Sequence, residues 1–137
     1  FFNDTATTEI YTLSRLDARP IVKGGCGCAD TNFLIDVHEG NQKVAPFLEG
    51  TAVVSVISEI ELLGWYQLAD ADKKQLRSLL DDCIIFELTS EIRRLAIEIR
   101  QQKKIKTPDA IIAATSIHLQ IPIVSSDKGL KNIPGID

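Results

Sequence analysis

The feature that most constrains this chain is a repeated change of hydrophobic period. "TAVVSVI" (Thr51–Ile57), bounded by Gly50, is a β-branched run, and "CIIFEL" (Cys83–Leu88) and "IPIVSSD" (Ile121–Asp127) are further short apolar runs. All three have the length and composition of buried strands. Around them lie stretches with helical spacing. Thr31–Glu39 closes at Gly40, a residue suited to the C′ position. Lys43–Glu49 is a second short helical stretch, and in Ser58–Leu68 the pair Ser58 and Glu61 has the spacing of a capping box. Asp70–Asp82 repeats leucine at 76, 79 and 80, and Ser90–Lys104 sets Ile92, Leu95, Ala96 and Ile99 on one face. Thr107–Gln120 opens with Thr107 as N-cap and Pro108 in the first turn. Strands separated by helices predict a parallel sheet covered on both faces, a three-layer α/β/α domain.

The first 29 residues read differently. "NDTATTEIYTLS" (Asn3–Ser14) and "RLDARPI" (Arg15–Ile21) closely resemble the conceptual translation of a common DNA-sequencing adapter. That resemblance implies a non-native extension; the alternative is a natural arm, helical around Thr8–Asp17. "VKGGCGCA" (Val22–Ala29) is a glycine-rich joint, and its glycines weaken any strand there, although the downstream pattern calls for one. The expected organisation is therefore an extension and joint over 1–29 and one domain over 30–137.

A chain of 137 residues suffices for one domain with a real core. No apolar run approaches the ~20 residues of a membrane-spanning helix, and the opening residues lack a secretory signal. A soluble, cytoplasmic protein with no membrane partner is expected. The net charge of −4 argues against a protein that coats nucleic acid, but not against a nuclease with one local basic patch. Cys26, Cys28 and Cys83 form no regular disulfide framework, and no Cys/His cluster completes a zinc site. His38 and His118 have no Ser or Cys partner at a spacing that suggests a hydrolase triad. Trp65 and Tyr66 are expected at helical positions covering the core or a dimer surface, with stacking on a base as the less favoured role.

In open α/β sheets, functional groups gather beyond the carboxyl ends of the strands. Asp30 follows the first expected strand, Glu59 and Glu61 open the helix after the second, and Asp127 follows the last. Asp109 sits in the first turn of the helix before that last strand. Each acid has a bland explanation as a cap or first-turn residue favoured by the helix dipole. Four carboxylates converging on one pocket would repel one another unless a hard divalent cation relieved them.

These residues carry a family resemblance. "DTNFLID" (Asp30–Asp36), "SVISEIELLG" (Ser55–Gly64), "PDAIIAATS" (Pro108–Ser116) and "IPIVSSD" (Ile121–Asp127) resemble, in order, the four signature blocks of the PIN domain, and most closely those of VapC-type toxins. The resemblance implies a parallel sheet between helices and an acidic site for Mg²⁺, or Mn²⁺, that cleaves single-stranded or looped RNA of the tRNA or rRNA class. By position, Asp30, Glu61, Asp109 and Asp127 correspond to the catalytic acids, with Glu59 as runner-up to Glu61. Asp30, Asp109 and Asp127 correspond to the metal ligands, and Asn32 and Ser125 to the supporting polar residues. A homodimer and a cognate VapB-type antitoxin are the implied partners. Lys103, Lys104 and Lys106 close the densest basic stretch and are either a phosphate-contacting rim or a solvated helix face. The rival readings are a catalytically idle PIN-fold binding module and, ranked low, a receiver-like phosphoacceptor domain.

Overall fold

The computed structural model describes residues 11–13, 25–42, 50–125 and 130. The expected helix over Lys43–Glu49 lies outside them, as does Asp127. In chain order the elements are β1 (Tyr11–Leu13), β2 (Cys26–Ala29), α1 (Thr31–His38), β3 (Thr51–Ser55), α2 (Val56–Leu63), α3 (Asp70–Asp81), β4 (Ile84–Phe86), α4 (Ser90–Gln102), α5 (Thr107–Leu119) and β5 (Ile123–Ser125). The sheet runs β1-β5-β2-β3-β4. Its last four strands pair in parallel, and β1 joins the β5 edge antiparallel.

The period-2 alternation of the strands creates a core on each face. Cys28 and Ile123 face α4 and α5, in a core completed by Ile92, Ile99 and Ala110–Ala114. Ala29, Val54 and Val124 face the other way, onto Leu34 of α1, Leu62 of α2 and Leu76 and Leu80 of α3. The expected three-layer α/β/α architecture with its central parallel sheet is thus observed. Among the described residues, no helix is long and apolar enough to cross a membrane.

Several boundaries differ from the sequence expectation, each for a local reason. A strand does form at Cys26–Ala29 despite its glycine, held in register between β3 and β5. Tyr11–Leu13 is strand rather than helix. The helix expected from Ser58 begins at Val56: Ser55 is the N-cap, its Oγ accepting from the Ile57 N–H at 3.2 Å. The capping-box reading of Ser58 and Glu61 is therefore corrected. That helix also stops at Leu63 rather than Leu68. A Cβ at Gly64, the C-cap, would lie 2.4 Å from the Ile60 carbonyl oxygen, so only glycine closes this turn without displacement. Trp65 and Tyr66 consequently leave the helix and do not cover the core; Tyr66 is 83% exposed. Thr107 is the first helical residue of α5, with Lys106 at the N-cap and no side-chain capping bond. Gly40 meets expectation, sitting past α1 with φ +73°.

Candidate acidic cleft

Strand β2 ends at Ala29, which pairs with Val124 of β5, so the next residues, Asp30 and Ser125, emerge side by side at the carboxyl end of the sheet. Asp30 is 2% exposed and caps α1, its Oδ1 accepting from the Phe33 N–H at 2.7 Å. The fully buried Ser125 hydroxyl donates to Oδ2 of Asp30. Capping and site roles therefore coincide in one carboxylate.

Asp30 opens onto a cleft of about 370 Å³ that is also lined by Thr31, Asn32, Ile35, Glu61, Trp65, Lys106, Pro108 and Asp109. Asp109 arrives on the first turn of α5, which Pro108 pre-organises. Glu61 arrives from α2. Thr31 Oγ1 lies 2.9 Å from Glu61 Oε1 and 3.0 Å from Ser58 Oγ. A carboxylate only accepts, so the Thr31 proton goes to Glu61 and the buried Ser58 supplies the proton of the second bond. From sequence Thr31 is only a weaker supporting candidate than Asn32 or Ser125 and reads more readily as a local turn or cap residue, because a contact across 30 positions leaves no local signal. Glu59, the alternative second acid, lies instead 3.5 Å from Arg77 of α3.

Three of the four expected acids thus line one cleft; the fourth, Asp127, lies outside the described residues. Asn32 lines the cleft and Ser125 supports Asp30. Lys106 is the one expected lysine on the cleft wall; among its described lining residues, neither Lys103 nor Lys104 is found. The carboxylate donors are of the kind that suits a hard divalent cation. Among the described residues, however, no group of three or more His, Cys, Asp or Glu side chains is close enough to hold a metal ion.

Other reactive groups do not compete for the site. Cys28 lies beside Asp30, but burial, reinforced by the charges of Asp30 and Cys26, pushes its thiol up to about 12, so it is no thiolate nucleophile at neutral pH. His38 is engaged 3.1 Å from Asp72, tying α1 to α3. His118 stands 6.1 Å, centroid to centroid, from the Phe86 ring.

A family model of the PIN domain matches residues 28–136. The chain belongs to the PIN-domain family. No curated protein matches it. Among solved structures, it resembles a chain of a toxin–antitoxin complex from Klebsiella pneumoniae at 28% identity and a TM-score of 0.70, covering 81% of this chain and 95% of that one. It also resembles a chain of VapBC2 from Rickettsia felis, bound there to a DNA fragment from its promoter, with the same coverage, 19% identity and a TM-score of 0.72. At that identity the second likeness speaks to the fold alone.

Proposed function

We propose that this chain is a Mg²⁺- or Mn²⁺-dependent endoribonuclease, the toxin of a VapBC-type pair, acting in the cytoplasm on single-stranded or looped RNA of the tRNA or rRNA class. The observation that carries the reading is the convergence of Asp30, Glu61 and Asp109 on one cleft at the carboxyl end of the sheet, with Lys106 on its wall. PIN-family membership and the Klebsiella toxin–antitoxin likeness support it. They also support a VapB-type antitoxin as partner; a homodimer is proposed from the family resemblance.

Asp30 and Asp109, joined by Asp127 on the family pattern, are the residues that would hold the cation. When bound, the cation supplies an activated water and balances charge growing on the phosphodiester. In the proposed reaction water attacks phosphorus and the bond to the departing ribose oxygen breaks. Ser125 and the Phe33 N–H fix the Asp30 carboxylate, Glu61 is exposed in the cleft to accept a proton from the water, and Lys106 steadies a phosphate.

Asp30→Asn and Asp109→Asn test this on total cellular RNA with Mg²⁺, mapping new ends. Asparagine is as good an N-cap as aspartate at position 30, and at Asp109, in the first turn of α5, it keeps the side-chain shape, so both variants are expected to fold while cleavage falls by about 10²-fold or more. Full activity in both would overturn the assignment. A second reading, an idle PIN-fold binding module, is favoured by the lack of a ready three-ligand group among the described residues. Calorimetric titration with Mn²⁺ separates the two: binding lost in Asp109→Asn supports the nuclease, and no binding to the unaltered chain supports the idle module.

A further inference from the structure

The cleft is not walled by acids alone. Trp65, the only tryptophan in the chain, lines it together with Asp30, Glu61, Lys106, Pro108 and Asp109. Its placement follows from the early stop of α2 at Gly64 and from a turn in which the Trp65 carbonyl accepts from the Leu68 N–H at 3.1 Å. The Tyr66 ring lies 5.4 Å away, centroid to centroid, tilted by 47°. Trp65 remains 37% exposed, so part of a large apolar surface faces water beside a cluster of acids. Leaving such surface uncovered forgoes burial that a packed position would provide. Where an indole borders a site for phosphate chemistry, the ligand that matches it is a base with a free π-face.

We propose that Trp65 forms a base-binding subsite: an unpaired nucleobase stacks on the indole while the adjoining phosphate lies between Lys106 and the acids. This deepens the nuclease reading and rests on it for the identity of the ligand. Bases within a duplex have both faces covered by their neighbours, so the subsite selects single strands and loops. Stacking tolerates any base, so the subsite sets register on the strand rather than sequence. A protein segment could also cover an exposed indole; the shared wall with Lys106 and the acids favours RNA.

The single tryptophan makes the test direct. The probe is a mixed-sequence 2′-O-methyl RNA hexamer, titrated without divalent metal so that the proposed metal-dependent cleavage does not proceed, while Trp65 emission is followed. The base-bearing hexamer is expected to quench the emission, and a ribose-phosphate hexamer without bases is not. With a labelled hexamer, Trp65→Ala should raise Kd about 5- to 100-fold and Trp65→Phe by no more than about threefold. In cleavage, the Ala variant should raise KM with kcat nearly unchanged, and unchanged thermal melts establish that both variants fold. Equal quenching by the base-free strand would overturn the subsite. So would an unchanged Kd in Trp65→Ala, which would assign the ring to a protein contact instead. Binding is read separately from cleavage: base-dependent quenching by a chain that cuts no RNA would uphold the subsite and remove the nuclease reading. Cleavage with no base-dependent quenching would do the reverse.

Discussion

At the residue scale, Asp30 and Glu61 differ in how firmly they are held. Asp30 is fixed by its own helix and by the neighbouring strand, so its position follows from the fold. Glu61 is exposed and is oriented by the single hydroxyl of Thr31, itself backed by the buried Ser58. A hydrogen bond to a charged group is worth about 1.5–3 kcal/mol, enough to bias one rotamer of an otherwise mobile side chain. If Glu61 serves the reaction, Thr31→Val should lower kcat about 10-fold with little change in KM, since the valine keeps the shape and loses the proton. Thr31→Ser should retain activity to within about twofold. Single-turnover cleavage measures both; a Val variant as fast as the Ser variant would mean that Thr31 only packs.

At the element scale, α2 decides the geometry of the cleft, because it carries Glu61 and its stop at Gly64 sets the position of Trp65. Gly64→Ala would push a methyl into the Ile60 carbonyl, so the last turn must open. The expected cost is about 1–3 kcal/mol, read as a lower urea midpoint, together with a shift in Trp65 emission. An unchanged midpoint and spectrum would show that the turn yields freely. The same helix shows what sequence makes legible. The α/β alternation could be read because hydrophobic period is a local property, and the meeting of Asp30, Glu61 and Asp109 at one cleft because each stands in a motif block that resembles the PIN domain. The start of α2 could not, because Val56 and Ile57 favour a strand by propensity and two serines compete as cap. Packing of Ile57 against the α4–α5 core settles the choice. The end of α5 is legible to within one residue, although not from a glycine signal. Gln120 takes the left-handed conformation that usually advertises itself as glycine, and Ser116 secures the turn by donating to the Ile121 carbonyl at 2.5 Å.

At the scale of the whole molecule, the central strand has the poorest strand sequence in the sheet. Cys26-Gly27-Cys28-Ala29 offers little β-propensity, yet it pairs on both sides, with β3 and with β5. Cys28 and Ala29 are buried in opposite cores. The strand therefore exists because the sheet demands it, and the sheet is continuous only through it. Two deletions separate the contributions of the N-terminal segments. Removing residues 1–22 takes away β1, an antiparallel edge strand, and leaves the four parallel strands paired; a lower but still cooperative thermal melt is expected. Removing residues 1–29 also deletes β2, which parts β5 from β3 and strips the sheet-side support from Asp30. Because a domain of this size is stable by only about 5–15 kcal/mol, losing two ladders and a share of both cores should abolish the cooperative transition altogether, as followed by circular dichroism. A sharp melt in the 30–137 piece would mean that β3 and β5 can close the gap themselves, and the acidic cleft would then have to be built without the strand that now places Asp30 beside Ser125.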